Sequence, residues 1–155
     1  MTRREKKSQT KFAGSLSDFL CFAVYSTNMA FNRAYKPFLD EIGITYPQYV
    51  TLVALSEQEN QTVSELGEKL FLESSTLTPM LKRLETMGYV TRRRDTEDER
   101  QVRIGLTEAG RDVFEKAFCT RAPLTDATKL DQETFVRLQR DLVALRDNLL
   151  KASAR

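Results

Sequence analysis

Glu73-Ser-Ser-Thr-Leu-Thr-Pro-Met-Leu-Lys-Arg-Leu-Glu-Thr-Met-Gly88 runs straight into Tyr89-Val-Thr-Arg-Arg-Arg94, then Asp95-Thr-Glu-Asp-Glu-Arg100, then Gln101-Val-Arg-Ile-Gly-Leu106. In the first segment Leu77, Met80, Leu81, Leu84 and Met87 recur at helical spacing, hydroxyl residues open it as N-cap candidates, and Gly88 closes it. That leaves Ser74, Ser75, Thr76, Thr78, Pro79, Lys82 and Arg83 facing outward: small hydroxyls in the first turn and cations beyond, a pattern suited to a helix whose N-terminal end enters the major groove. In the last segment Val102, Ile104 and Leu106 alternate with Gln101, Arg103 and Gly105, the period of two of a half-buried strand. Residues 89–106 therefore predict a two-stranded hairpin with a charged tip, directly after a recognition-type helix.

Working upstream, Thr62-x-x-Glu65 is a capping box that starts a short helix holding Leu66 and Leu70. Thr45-x-x-Gln48 is another, followed by the apolar stripe Tyr49, Leu52, Val53 and Leu55. Ser15-x-x-Asp18 opens a long periodic segment from Leu16 to Phe38, which Pro37 should disturb. Downstream, Thr107 caps a further helix, and Phe135, Leu138, Leu142, Leu145 and Leu149 form an a/d seam that calls for a partner helix.

The expected fold is mainly α with a small β-hairpin wing, an α+β winged helix-turn-helix. Its expected boundaries are a basic solvated arm at 1–12 and one domain at 13–155, with the winged helix-turn-helix at about 45–107 and dimerisation helices at about 15–42 and 107–152.

Composition narrows the function. The chain has 155 residues and 41% hydrophobic content, enough for one domain with a real core. Formal net charge is only +2, and Arg3, Arg4, Lys6, Lys7 and Lys11 concentrate it in the first twelve residues, so the rest is slightly acidic. That arm suits phosphate contact or simple solvation. No apolar run is long enough for a membrane span, and Met1-Thr-Arg-Arg-Glu-Lys-Lys lacks the apolar core of a secretory signal, so a cytoplasmic location is expected.

Histidine is absent, which removes the usual general base and the usual zinc ligand. No enzyme activity, metal or cofactor is expected. Cys21 and Cys119 lie too far apart for a Cys-x-x-Cys motif and should rest as thiols in a reducing compartment.

A helix-turn-helix alone is a weak signal; the hairpin after it sharpens the reading. Arg92, Arg93, Arg94, Arg100 and Arg103 can reach phosphates or the minor groove, with the neighbouring acids, Asp98 among them, orienting them; the same charges also fit a solvated loop. Asp98-x-Arg100, five residues, then Leu106-Thr107-x-x-Gly110 resembles the wing signature of the MarR family of winged-helix repressors. Leu77-Thr-Pro-Met-Leu-Lys-Arg-Leu-Glu-x-x-Gly88 resembles their recognition helix. The resemblance implies a homodimer on a pseudo-palindromic operator in double-stranded DNA, with Ser74, Ser75, Thr76, Thr78, Pro79, Lys82, Arg83, Arg92, Arg94, Asp98, Arg100 and Gln101 at the interface.

Within that family the chain is similar to the organic-hydroperoxide-sensing repressors of the OhrR type, through Leu20-Cys-Phe-Ala-Val-Tyr25, Tyr35-Lys-Pro-Phe-Leu-Asp40, Ile44-Thr-Tyr-Pro-Gln-Tyr49 and Phe71-Leu-x-Ser-x-Thr-Leu-Thr-Pro79. This places Cys21 on the sensing cysteine, Tyr35 and Tyr46 on tyrosines that contact its sulfur, and Tyr25 on a nearby aromatic. Organic hydroperoxides are the implied oxidant. Thiolate attack on a peroxide does require hydrogen-bond donors around sulfur, which phenols supply, although a lone cysteine on an amphipathic helix also fits an inert core residue.

Some members of the group join the sensor to a second cysteine of the other subunit. Cys119 falls about one turn before that position, so a structural thiol is its rival role. The alternatives are a MarR-type repressor released by a small aromatic ligand, a thiol-dependent peroxidase, which the missing histidine disfavours, and an interaction module that has lost DNA binding, which Arg100 and Lys82 disfavour.

Overall fold

The computed structural model describes residues 14–119 and 121–153, so the basic arm expected at 1–12 lies outside the described residues. The helices are α1 (Leu20–Glu41), α2 (Tyr46–Glu57), α3 (Val63–Leu70), α4 (Ser74–Thr86), α5 (Glu108–Phe118), α6 (Arg121–Ala127) and α7 (Gln132–Ser153). The strands are β1 (Gln61–Thr62), β2 (Val90–Arg94) and β3 (Val102–Leu106). Chain contacts divide it into two compact units, Met1–Ala34 and Tyr35–Arg155.

In the first unit the Ser15 box forms, with Asp18 accepting from the Ser15 amide (2.8 Å), but it caps a single 3-10 turn, Leu16–Asp18. Phe19 is extended (φ −88°, ψ 118°), so α1 starts only at Leu20 instead of being opened by the box. Leu16, Leu20, Val24, Tyr25, Met29 and Phe31 are all exposed. The helix also runs through Pro37 to Glu41. Leu39 is buried and Lys36 pairs with Asp40 (2.8 Å), and both hold the turn that the proline deprives of a backbone bond.

The second unit carries the core. Leu52 and Leu55 of α2, Leu66 of α3, Leu77, Leu81 and Leu84 of α4 and Ile104 of β3 are fully buried, joining three helices and the sheet in one cluster. Both further capping boxes close as expected: Thr45 and Thr62 each accept from the amide three residues on, while Gln48 and Glu65 bond back to the Thr45 and Thr62 amides (2.8 and 2.6 Å).

The turn from α3 to α4 is a Schellman motif. Leu72 N–H donates to Gly67 O (2.9 Å) and Phe71 N–H to Glu68 O (3.3 Å), with Phe71 in the left-handed region (φ 56°). At the other end of α4 the same motif recurs with Gly88 (φ 78°): Tyr89 N–H reaches Leu84 O (3.0 Å) and Gly88 N–H reaches Glu85 O (2.9 Å).

Two expectations are corrected. The wing sheet has three strands, ordered β1-β3-β2, because Gln61 and Thr62 pair with Ile104 and Arg103. The buried Gln61 amide fixes β1 by donating to Ala54 O (2.8 Å) and Gln58 O (2.6 Å). Three helices, not two, follow the wing. Thr128 and Asp131 interrupt the chain between α6 and α7, Thr128 bonding back to Thr125 O (2.7 Å) and Asp131 accepting from the Thr134 amide (2.8 Å). The α7 seam does form one face, and Leu138, Leu142 and Leu149 on it are exposed. Among the described residues no helix is long and apolar enough to cross a membrane.

Candidate nucleic-acid interface and sensor residues

Helix α4 is held from behind by Leu77, Leu81 and Leu84, which turns its other face to solvent. Ser74, Ser75, Thr76, Pro79, Lys82 and Arg83 are exposed there and Thr78 is half-buried. The expected hydroxyl N-cap is absent: Glu73 occupies that position without a side-chain cap bond, and its carbonyl accepts from the Thr76 and Leu77 amides (2.9 and 3.0 Å). The serines thus begin the helix proper, and the positive end of its dipole faces the same way as its hydroxyls.

The wing follows α4 in the chain, and β2 packs against that helix. Thr107 explains how it is docked. Its hydroxyl donates to Gly88 O (2.7 Å), its amide donates to Tyr89 O (3.1 Å), and its Oγ1 accepts from Gly110 N–H (3.0 Å) as the N-cap of α5. The Leu-Thr-x-x-Gly run is therefore a joint that ties the end of the wing to the end of α4.

At the tip, Asp98 Oδ1 accepts from the Arg100 backbone amide and from Arg100 Nε (both 3.1 Å), and Asp98 Oδ2 accepts from Gln101 Nε2 (3.2 Å). These bonds, the Arg100 side chain first, hold the Asp98 carboxyl below the usual carboxylate range. Arg100 itself is 92% exposed. Arg94 is also exposed, whereas Arg92 is drawn back, its Nη1 donating to Glu85 of α4 (3.3 Å).

Cys21 is exposed on the first turn of α1, and Cys119, exposed as well, is the C-cap of α5. In the second unit Tyr35, Tyr46 and Tyr49 form an aromatic cluster: ring centroids are 4.9 Å apart for Tyr35 and Tyr46, and 6.0 and 6.2 Å from each of these to Tyr49. Burial, and after it the neighbouring Tyr35, pushes the Tyr46 phenol above its ordinary value, so Tyr46 is a protonated donor at neutral pH. Tyr25 is exposed and lies 6.3 Å from the Phe22 ring.

Residues 33–117 match the family described as transcriptional regulator SarA/Rot. The organic hydroperoxide resistance transcriptional regulator of Bacillus subtilis is 44% identical over 134 residues, covering 86% of this chain and 91% of that protein. Among solved structures, reduced AbfR bound to DNA superposes with a TM-score of 0.68 at 38% identity, and overoxidized AbfR bound to DNA with 0.67 at 41%; each covers 84% of this chain and 94% of the other. A MarR-family transcriptional regulator from Rhodococcus sp. RHA1 superposes with a TM-score of 0.74 at 25% identity, over 84% of this chain and 94% of that one.

The chain belongs to the MarR family of winged-helix transcriptional regulators. As a MarR-family member it is a DNA-binding regulator and not an enzyme.

Two residues of this regulator have a further role in the fold that their places in the sequence do not show. Asp95 looks like one acid among four on the tip, but it is only 5% exposed and bonds to Arg103, whose exposed guanidinium also donates to Asn60 O. The signal that separates it is the phase of β3: Arg103 sits opposite Arg93 beside β1, where an inward acid has a cation to meet. Tyr49 read as a core residue, and only the fold shows that it completes the tyrosine cluster.

Proposed function

We propose that the protein is a homodimeric repressor that holds a pseudo-palindromic operator and releases it when organic hydroperoxides oxidise Cys21. The observation that carries this reading is the 44% identity, over 86% of the chain, with a regulator named for organic hydroperoxide resistance. The exposed apolar faces of Leu16 to Phe31 and of α7 support the dimer, since contiguous apolar surface of this kind marks an interaction face. Each subunit then supplies one α4 and one wing to a half-site, with Ser74, Ser75, Thr76, Thr78, Pro79, Lys82 and Arg83 on the helix and Arg92, Arg94, Asp98, Arg100 and Gln101 on the wing.

In the redox step the Cys21 thiolate attacks the terminal peroxide oxygen. The S–O bond forms, the O–O bond breaks, and the alkoxide leaves and takes a proton to become the alcohol, which leaves Cys21 as a sulfenic acid. On the resemblance, Tyr35 and Tyr46 donate hydrogen bonds that favour the thiolate, Tyr46 being suited to this by its raised phenol pKa, and Tyr25 shapes the surroundings. A relative binds DNA in an overoxidized form, so oxygen addition alone is a poor release signal. We assign release to the following step: the Cys119 thiol of the second subunit attacks the sulfenic sulfur, the S–S bond forms, and hydroxide leaves with the thiol proton as water.

Mobility shifts on the DNA upstream of its own gene test this reading. Reduced protein should bind, cumene hydroperoxide should release it, and Cys21→Ser should bind and ignore the peroxide. Cys119→Ser should lack the covalent dimer on a non-reducing gel and stay on DNA after oxidation. If Cys21→Ser still lets go on peroxide treatment, Cys21 is not the sensor, and a ligand-released repressor takes its place.

A further inference from the structure

We propose that Asp95 is the positioning residue of the wing, holding the tip in the one shape that presents Arg100 to DNA; this rests on the reading of the wing as a DNA-contacting element. Asp95 is the first residue after β2 and the one buried acid at the tip, where Glu97 and Glu99 are exposed. Its carboxylate closes the tip from inside. Oδ1 accepts from the amides of Glu97 (2.7 Å) and Asp98 (3.1 Å), and Oδ2 accepts from Arg103 Nε. Its own amide donates to Gln101 O (3.0 Å), and Gln101 N–H donates to Asp98 O (2.9 Å), so both sides of the tip are pinned around it.

Arg103 carries the brace onward, since its Nη1 donates to Asn60 O (3.0 Å) in the loop that precedes β1. A continuous line of bonds therefore runs from the loop before β1 through Arg103 and Asp95 to the Asp98 amide, and Asp98 in turn grips Arg100 at its backbone and at Nε. Among the described residues no other hydrogen bond or ion pair holds the Arg100 side chain, which is 92% exposed. Its direction is set by two carboxylates in series, of which only the first is anchored in the body of the domain. A buried carboxylate is costly unless its lone pairs are used, and here they are used on the tip. The same two amide bonds, and after them Arg103, hold the Asp95 carboxyl below the usual range, so it is ionised wherever the protein meets DNA.

The sign of the effect separates this role from plain electrostatics. Removing an acid that faces DNA should strengthen binding, because each cancelled negative charge favours phosphate contact. If Asp95 positions Arg100, its removal weakens specific binding instead. The test is a double-mutant cycle on the full-length dimer, using a duplex selected from a random pool by the wild-type protein. Arg100→Ala should lose roughly tenfold or more in affinity for that duplex. Asp95→Ala should lose roughly tenfold, keep its affinity for a scrambled duplex, and cost almost nothing further when combined with Arg100→Ala.

Full additivity, or a wild-type affinity for Asp95→Ala, overturns the proposal while leaving the wing interface intact. A silent Arg100→Ala, or a pool from which nothing is enriched, removes the wing reading and the proposal with it. If circular dichroism shows that Asp95→Ala does not fold, Asp95→Asn, which keeps an oxygen for the two tip amides but not the charge toward Arg103, goes through the same cycle and must show the same sign and the same non-additivity.

Discussion

Gly110→Ala puts the largest strain on the joint between the wing and α4. A Cβ at Gly110 would stand 2.1 Å from Tyr89 O and 2.9 Å from Leu106 Cδ1, where ordinary contact begins at 3.4 Å. The obstacle is backbone, so α5 and the chain at Tyr89 must part by roughly an ångström. Two bonds span that gap, Thr107 N–H to Tyr89 O and the Thr107 hydroxyl to Gly88 O. At about 1 kcal/mol each, with a further 1–3 kcal/mol for overpacking, the substitution should cost about 3–5 kcal/mol. A loss of 3 kcal/mol lowers the Tm of a chain this size by roughly 6–12 °C.

Gly88→Ala is the internal control. A Cβ there meets nothing within 4 Å, so only its φ of 78° opposes it, at about 1–2 kcal/mol. Urea unfolding at matched protein concentration gives both values. A loss under 1 kcal/mol at Gly110, or a larger loss at Gly88 than at Gly110, would refute the account of the joint.

Arg100→Ala should leave urea stability within about 0.5 kcal/mol, because its pair with Asp98 is solvated, and should flatten the salt dependence of operator binding by about 0.9 in log–log slope; an unchanged slope at lower affinity would mean that Arg100 touches no phosphate. Leu142→Asp should dissociate or unfold the proposed dimer, and sedimentation of a tight-binding wild-type monomer would contradict that assembly. On acidification, Asp95, Asp98, Glu65 and Asp131 act together. Each is depressed in the fold, so each stabilises above its unfolded pKa, about 4, and that stability drains as pH falls below it through the folded values. Asp95→Asn should therefore be less stable than wild type at neutral pH and lose less stability on acidification, the two converging in acid, and an identical acid limb would show that Asp95 contributes nothing.

What the sequence makes plain here is what repeats or is reciprocal. Leucines at steps of three and four fix α4 because nothing else buries that stripe, and the boxes at Thr45 and Thr62 fix two helix starts because each needs both partners. The Ser15 box shows the limit of such reasoning: its bonds form, yet the extended Phe19 that follows lets them cap only one turn. β1 has two residues, too few for any period, and Gln61 is polar because its amide serves the α2 end and not because it faces water. Asp95 is hidden for a related reason: composition marks four acids at the tip, and only the arrival of Arg103 from the opposite strand decides which of them turns inward.

The packing also constrains how a chemical signal could act on DNA. Leu52, Leu55, Leu66, Leu77, Leu81, Leu84 and Ile104 leave no accessible surface, and the Thr107 joint binds the wing to the same body. A core of that density transmits displacement more readily than it deforms, so α4 and the wing move as one piece. Oxidation that merely loosened individual contacts on α4 would have to melt this core, at a cost comparable to unfolding the domain. Moving the whole piece costs only the contacts at its edges. In the proposed dimer two recognition helices must sit about 34–36 Å apart to share one face of the duplex, so a rigid shift of about an ångström or two in each subunit misaligns both at once. A rigid DNA-reading body is thus the condition that lets a small covalent change elsewhere in the proposed dimer act as a switch.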